Sequence, residues 1–281
     1  MERLATQRPQ QALTPYICAT CGTQHAPSAV PPAQCRVCED ERQYVGWIGQ
    51  AWTSLEALRA SHRVRVWEEE PGLHGVGVTP SLMIGQRALL VQGASGNVLW
   101  DCLPVVDDAG LAAIAALGGV DAIAISHPHY YGVMVEWAHA LGAPIYLHAA
   151  DHEWVCRPDP AIRFWEGASL ALGPDLTLVH CGGHFAGGAV LHWQGGAGGL
   201  GALLTGDLIN VVMDRRWVSF MYSFPNLIPL SAHAVRSIAA AVSPYPFERL
   251  YAAWADKVVY RDARAAVRRS AERYLAALQA P

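Results

Sequence analysis

Residues 126–132 carry the sequence Ser-His-Pro-His-Tyr-Tyr-Gly, directly after the apolar stretch 122–125. That stretch predicts a buried strand, Ala122–Ser126, because it is short, apolar and contains branched side chains. Two histidines at positions i and i+2 of an extended chain point the same way, and Pro128 biases His127 toward extended geometry. We therefore expect His127 and His129 to stand together where the strand ends and a helix begins, as ligands for a metal ion.

Two further motifs place metal-binding side chains at predicted strand ends. His184 lies in the glycine-rich turn 182–188, between two predicted strands, and Asp207 follows Thr205-Gly206 at the end of a third strand. Three imidazoles and one carboxylate suit zinc or non-haem iron. The sequence therefore predicts one active-site metal ion bound by His127, His129, His184 and Asp207.

The elements predicted around these motifs indicate a layered α/β fold. Strands and helices alternate in two halves of the chain, which predicts two packed sheets with helices outside. The predicted strands are Val64–Trp67, Ala88–Val91, Asn97–Trp100, Ala122–Ser126, Pro144–His148, Leu176–His180, Ala189–Trp193, Ala202–Leu204 and Arg249–Ala252. The predicted helices are Leu111–Leu117, Val133–Leu141, Ala232–Val242 and Arg261–Leu278. The glycine-rich stretch 195–201 is interpreted as a loop between two strands.

Four cysteines near the N-terminus form two CxxC pairs, Cys18 with Cys21 and Cys35 with Cys38, separated by 13 residues. Two such turns can place four thiolates around one tetrahedral ion. A segment this short has little core, so metal binding would supply most of its folding energy. We expect residues 1–43 to form an N-terminal segment with a structural zinc ribbon, iron being the alternative metal, and residues 44–281 to form the main domain.

Composition excludes several classes of protein. The net charge is −4 and only 16% of residues are charged, so the chain lacks the basic character of a nucleic-acid-binding domain. We see neither a secretory signal nor an apolar run long enough to span a bilayer. The three cysteines outside the CxxC pairs are scattered, which fits a reducing compartment. We expect a cytoplasmic protein with no membrane or nucleic-acid partner.

The three motifs resemble those of the metallo-β-lactamase superfamily in order and spacing. The HxHxDH motif of that superfamily is similar to residues 127–132, its GHTPGS-like turn to residues 183–188, and its TGD motif to Thr205-Gly206-Asp207. The resemblance covers residues 45–281. It implies a four-layer αββα sandwich with its metal centre at one edge, joined here to the small N-terminal zinc ribbon with its four cysteines.

The sequence departs from the superfamily where the second metal ion would bind. Tyr131 and Gly132 stand where the motif has its Asp and second His, and residues 251–256 lack the histidine of a late PGH-like turn. A mononuclear centre is therefore expected. Asp256 or the Tyr131 phenol would be needed to rebuild part of a second site. Asp101 resembles the Asp that follows the second strand pair in the superfamily. Two readings of it stay open, a residue that orients a ligating histidine and a plain turn residue.

The resemblance implies a metal-dependent hydrolase acting on a small ester, lactone or thioester. Bound metal lowers the pKa of water from about 15.7 toward about 7. Asp207 would position or deprotonate that water, and Tyr131 would donate a hydrogen bond to a developing oxyanion. Two alternatives stay open. One is a mononuclear iron oxygenase of persulfide-dioxygenase type, with His127, His184 and Asp207 as its triad. The other is a non-catalytic, metal-stabilised protein whose ribbon binds a protein partner.

Overall fold

The computed structural model describes residues 13–279, so the first twelve residues of the predicted N-terminal segment and the last two of the chain lie outside the described residues. Strands β1 to β19 are, in order, Ile17–Cys18, Trp52–Thr53, Arg63–Glu70, Leu73–Thr79, Ala88–Gly93, Gly96–Trp100, Ala122–Ala124, Ile145–His148, Ile162–Trp165, Ser169–Ala171, Leu176–His180, Ala189–Trp193, Ala202–Gly206, Asn210–Val211, Val218–Ser219, Met221–Ser223, Ile228–Pro229, Arg249–Ala252 and Val258–Val259. Helices α1 to α7 are Arg36–Glu39, Leu55–Ser61, Asp108–Ala116, Met134–Leu141, Gly196–Gly199, Ala232–Val242 and Ala263–Gln279. Two 3-10 helices span Pro128–Tyr130 and Ala149–Trp154.

Two large sheets form the centre of the molecule. The first has seven strands in the order β3-β4-β5-β6-β7-β8-β9, and the second has six in the order β10-β11-β12-β13-β18-β19. Strands β6 to β9 run parallel to one another, and β13 runs parallel to β18, because each of these pairs is joined by a long crossover. The fold class predicted from the sequence is confirmed: two sheets lie face to face with helices outside.

The alternation of side chains along the strands builds the four layers. In β5, Leu89 and Val91 belong to the core between the sheets, whereas Leu90 packs with Ile114 of α3 and Trp137 of α4. The second sheet repeats this arrangement with α6 and α7 on its outer face. Both faces of each sheet are therefore covered, which explains why the central strands are apolar along their whole length.

Two strands of the first sheet, β4 and β9, are not among those predicted from the sequence. Strand β4 pairs with β3 through Gly75 opposite Trp67 and Gly77 opposite Arg65. A Cβ atom at Gly75 would overlap the Trp67 indole, and one at Gly77 would come within 3.0 Å of it. The indole thus occupies the space above both glycines, and these glycines interrupt the branched side chains by which β4 would otherwise be predicted as a strand.

The predicted strand-to-helix junction at the first motif takes a different form from the one expected. His127 is extended, with φ −174° and ψ 175°, but the chain then turns into the 3-10 helix Pro128–Tyr130. His129 is thus brought beside His127 by a tight turn and not by a continued strand. Their ring centroids are 5.1 Å apart.

The ends of four strands meet at one edge of the sandwich. Strand β7 ends just before His127, β13 ends just before Asp207, and the turn that carries His184 joins β11 to β12. The two sheets are tied together there because Ala189 N–H donates to Ser126 O at 2.9 Å. Side chains far apart in sequence are in this way presented at one place.

The N-terminal segment forms a small two-stranded sheet with the start of the main domain. Strand β1 pairs with β2, which lies beyond the predicted boundary at residues 43 and 44. That boundary stays a prediction. Within residues 13–279, no helix combines the length and the hydropathy that a membrane crossing requires.

Two glycines between β12 and β13 allow a test of how closely the backbone there approaches its neighbours. Gly198 and Gly201 both have positive φ, +68° and +87°, but an added Cβ meets nothing within 4 Å at Gly198 and overlaps Pro246 O at Gly201. We expect Gly198→Ala to lower the free energy of unfolding by about 1 kcal/mol and Gly201→Ala by about 3 kcal/mol. Denaturant unfolding of both variants measures the difference, and equal losses would contradict the close approach at Gly201.

Candidate metal centres

The four residues predicted to bind the active-site metal ion lie together. One nitrogen from each of His127, His129 and His184 and one Asp207 oxygen all lie within 4.8 Å of one another. The exposed fractions of these four residues are only 1–4%. The structure therefore forms a compact, buried group of three imidazoles and one carboxylate, hereafter the histidine site.

The separations of the donor atoms fit a shared metal ion, and one pair makes no hydrogen bond in its place. His127 Nε2 and Asp207 Oδ1 are 3.0 Å apart, yet they do not meet in hydrogen-bond geometry, and both are buried without a partner. His184 Nε2 faces His129 Nδ1 at 3.1 Å. Two ligands of a tetrahedral ion bound at about 2.0–2.1 Å are separated by about 3.3 Å. Both separations are close to that value.

One contact defines the tautomer of His184. Its Nδ1 lies 3.0 Å from Met221 O, a carbonyl that can only accept, so Nδ1 carries the proton. Nε2 of the neutral ring then presents a lone pair toward His129 and Asp207. A backbone carbonyl behind a metal-ligating histidine is a common way to orient the ring.

Burial and charge shift the pKa values of these groups. Burial lowers the pKa of His184 to about 4 and lowers that of His129 well below its usual range, so both rings are neutral at pH 7. Burial alone would raise the pKa of Asp207, but the neighbouring His127 and His184 hold it below its usual value. Neutral imidazoles beside an ionised carboxylate are the forms that bind a cation.

Asp101 lies behind His127 and acts on it through Ser126. Asp101 Oδ1 accepts a hydrogen bond from Ser126 N at 2.8 Å, and Ser126 Oγ lies 3.1 Å from His127 Nδ1. Asp101 has φ +63°, a conformation that aspartate adopts more readily than most residues, and burial raises its pKa to about 7. The hydrogen bonds through Ser126 are the observation that supports a positioning role for Asp101.

The tyrosine that reaches the histidine site is Tyr130. Its ring centroid is 4.8 Å from that of His127, and its buried hydroxyl lies beside Asp207, which together with burial raises the pKa of the phenol. Tyr131 lines a small cavity with Gln24 and Cys156. In an extended chain, Tyr131 would lie on the same side as His127 and His129. The 3-10 turn after His127 brings Tyr130 to the histidines instead, and for this reason Tyr130 was not predicted from the sequence.

The candidate second-site residues are not assembled beside the histidines. Asp256 is two-thirds exposed and pairs with Arg215 at 2.9 Å. Gly132 has φ +48°, its Cβ would lie 2.5 Å from Leu103 O, and its carbonyl accepts a hydrogen bond from Gln24 N at 3.0 Å. Where the superfamily has second-site ligands, this chain binds its own N-terminal segment.

The four N-terminal cysteines form a second compact group, hereafter the cysteine site. Cys18 Sγ and Cys38 Sγ are 3.6 Å apart, and so are Cys21 Sγ and Cys35 Sγ. These distances exclude disulfides and approach the separation of about 3.8 Å between two thiolates on a tetrahedral zinc ion. A hydrogen bond with Cys21 lowers the pKa of Cys18 to about 6. The cysteine site is built as a closed metal site with no open coordination position.

The stretch of chain that follows Cys38 packs against the histidine site. Arg42 Nη1 donates to His184 O at 3.1 Å, and its guanidinium lies 3.9 Å from the centroid of the Phe185 ring. The Phe185 ring in turn lies within 4.8–5.3 Å of all three imidazole centroids. Arg42 and Phe185 were both missed from the sequence, Arg42 because 142 residues separate it from His184.

Asp151 holds the turn that carries His184. Its Oδ1 accepts a hydrogen bond from Gly187 N at 2.7 Å, and a Cβ at Gly187 would approach its carboxyl carbon to 2.7 Å. His148, which lies nearby, stacks on His180 with ring centroids 3.8 Å apart. None of these residues joins the group of four, so they support the histidine site without forming part of it.

Comparison with known sequences finds one strong relative. The chain is 53% identical over 265 residues to the uncharacterized protein YmaE of Bacillus subtilis (strain 168), covering 94% of this chain and 96% of YmaE. No family model matches the chain.

Comparison with solved structures gives metallo-β-lactamases. The enzyme from Pontibacter korlensis has a TM-score of 0.55 at 16% identity, covering 78% of this chain and 100% of that one. A B3 metallo-β-lactamase with an active-site glutamic acid has a TM-score of 0.53 at 16% identity, covering 82% and 97%. The HARLDQ-motif enzyme from Cronobacter sakazakii has a TM-score of 0.51 at 17% identity, covering 80% and 96%. At these identities the likeness establishes the fold.

Proposed function

This chain belongs to the same family as YmaE of Bacillus subtilis and has the metallo-β-lactamase fold, and from these premises we propose that it is a metal-dependent hydrolase with one active-site metal ion. The observation that carries the proposal is the buried group of four donors at the edge of the sandwich. The substrate class that we propose is a small ester, lactone or thioester.

The residues that would hold the ion are His127, His129, His184 and Asp207. Such an ion, zinc or iron, supplies water of lowered pKa and a Lewis acid for a substrate oxygen. The chain itself supplies orientation. Met221 O fixes the His184 ring, and Ser126 Oγ, held in place by Asp101, lies against His127 Nδ1. Side chains fixed in this way lose little freedom when they bind a ligand.

Asp207 and Tyr130 are the proposed groups that orient water and stabilise charge. The Asp207 carboxylate is buried and ionised, with its pKa held below the usual range, so it can accept a hydrogen bond from an attacking water molecule and orient it. The Tyr130 phenol stays protonated at neutral pH because burial and Asp207 raise its pKa. It can therefore donate a hydrogen bond to Asp207 or to an oxyanion. In our proposal Tyr130 takes the role predicted for Tyr131.

The two alternative functions make different demands on the same residues. An iron oxygenase of persulfide-dioxygenase type would use His127, His184 and Asp207, yet His129 is equally part of the group. The identity of the bound metal, and not the donor set, separates these two enzymes. A non-catalytic protein would need its ribbon free for a partner, whereas Arg36, Arg42 and other ribbon residues contact the main domain. A ribbon-bound protein partner and a cytoplasmic location stay predictions.

Metal analysis combined with a panel of chromogenic esters, lactones and thioesters tests the proposal. We expect two ions per chain, one at each group, and a single ion in His127→Ala. Loss of a Lewis acid worth several kcal/mol predicts a fall in turnover of about 10³-fold in that variant. Equal turnover in both proteins, or none in either, would contradict the hydrolase. Iron with thiol-dependent oxygen uptake would support the oxygenase instead.

A further inference from the structure

One aromatic side chain, Phe185, packs against all three imidazoles of the histidine site. The Phe185 ring centroid lies 5.3, 4.8 and 5.3 Å from those of His127, His129 and His184. Its ring is nearly parallel to that of His127, with an angle of 23° between them. Phe185 is itself only 1% exposed, so something further out must cover it.

Part of the cover over Phe185 comes from residues 17–53, hereafter the cysteine segment. Trp154 of the main domain packs against the same ring, with centroids 5.4 Å apart. The Arg42 guanidinium lies over the Phe185 ring and is flanked by Trp154 and Tyr222, whose ring centroids are 5.1 and 5.5 Å away. Arg42 Nη1 also bonds the carbonyl of His184. One cation therefore contacts both the side chain that covers the histidines and the backbone of one of them. Stacking of guanidinium on an aromatic ring is favourable and depends on the planar shape of arginine.

Arg42 is fixed in place by residues adjoining the cysteines. Asp40, two residues after Cys38, accepts from Arg42 Nε at 2.5 Å and from Nη2 at 2.8 Å. Hydrogen bonds from Asn226 Nδ2 to Glu41 O and Gln43 O, at 2.9 and 3.0 Å, hold the flanking backbone against the main domain. The position of Arg42 thus depends directly on the fold of the cysteine segment.

We propose that Arg42 is a gating residue, supplied by the cysteine segment, that holds Phe185 over the histidine site, and that this cover must open before a substrate or a metal ion reaches the histidines. The inference rests on the proposed function, because it assigns a role at the same site. It gives the cysteine segment a task beyond its own stability: it controls access to the chemistry of the main domain.

The test compares Arg42→Ala with a matched control, Arg36→Ala. Arg36 also belongs to the cysteine segment and also lies over Trp154, at 5.2 Å, but it pairs with the exposed Glu153. We expect the histidine-site ion of Arg42→Ala to be lost to a chelator at least 10-fold faster than in the wild type, with the cysteine-site ion retained. Arg36→Ala should release it at the wild-type rate. Wild-type release from Arg42→Ala, or equal acceleration in both variants, would overturn the gate.

A double-mutant cycle identifies Phe185 as the side chain through which Arg42 acts. Phe185→Ala should release the ion as fast as Arg42→Ala or faster, and the double variant should be no faster than Phe185→Ala. Additive rates would show that Arg42 acts elsewhere and would overturn the proposal. If Arg42→Ala also loses the cysteine-site ion, the test rests on Phe185→Ala alone. Release of the histidine-site ion from Phe185→Ala at the wild-type rate would then overturn the proposal that Phe185 covers the site.

A second readout does not need a bound ion. Peptide-level carbethoxylation of His129 and His184 by diethyl pyrocarbonate, on protein freed of the histidine-site ion, should be accelerated at least 10-fold by Arg42→Ala and unchanged by Arg36→Ala. A chain that binds no ion at the histidine site would contradict the proposed function and still report on the gate. Unchanged carbethoxylation in Arg42→Ala would overturn the gate and leave the hydrolase standing.

Discussion

Replacing Cys35 with serine should remove one metal ion per chain and unfold the cysteine segment. The described core of that segment consists of the four cysteines and Val37, with a few half-buried side chains around them. So small a core supplies little hydrophobic stabilisation. Structural zinc contributes about 10–16 kcal/mol in peptides of similar size. Removing a thiolate therefore removes the main source of stability, and elemental analysis with limited proteolysis of residues 17–53 measures the loss.

The main domain should survive that change. Its large core clusters consist almost entirely of residues from the two sheets and their helices. Ile17 is the member that the cysteine segment supplies. We expect far-UV circular dichroism to change little. Cys156→Ser is the matched control, because Cys156 packs beside the same cluster but lies outside the group of four. Retention of both ions and of protease resistance in Cys35→Ser would count against a structural metal at this site.

Replacing Asp207 with alanine should abolish most activity and weaken the histidine-site ion. The carboxylate is both a candidate ligand and the group proposed to orient the attacking water, and it lies 3.0 Å from His127 Nε2. Residues that merely stand behind metal ligands cost about 10–100-fold in metal affinity or activity, so a ligand should exceed that. We expect turnover to fall by about 10³-fold or more. Steady-state kinetics and metal titration measure the two losses separately.

Asp121 provides the comparison for Asp207. Asp121 Oδ2 accepts a hydrogen bond from Asn97 N at 2.8 Å, but Asp121 is exposed and lies just before β7, whereas His127 follows that strand. Asp121→Ala should keep both ions and wild-type turnover. Turnover in Asp207→Ala as high as in Asp121→Ala would remove Asp207 from the mechanism.

The sequence predicted the histidine site because its residues follow local rules. His127, Asp207 and the turn of His184 each adjoin a buried strand, and the strand ends of a layered fold meet at one edge. Apolar runs of the right length located the strands β7, β11, β12 and β13. The two CxxC pairs were equally readable, since each brings two thiols together within one turn. In all these cases, neighbours in the sequence determine the geometry.

The parts that could not be predicted depend on contacts between distant segments or on a choice between neighbouring residues. Arg42 resembles any other arginine of a polar stretch until the fold brings it to His184. Tyr130 and Tyr131 differ only through the 3-10 turn at Pro128–Tyr130, which no periodicity announces. Asp256 faces solvent because Ala253 N bonds Gly206 O and Trp254 Nε1 bonds Ile84 O, which fixes the preceding backbone.

The hydrogen bond from Gln24 N to Gly132 O has a consequence for the ancestry and redesign of this scaffold. A histidine at position 132 would drive its Cβ into the Leu103 carbonyl and disturb the peptide to which Gln24 is anchored. Placing a donor side chain at position 132 would therefore demand a rebuilt loop. In this backbone, a histidine at position 132 and the docked Gln24 peptide exclude each other, and point substitution alone does not lead from one to the other.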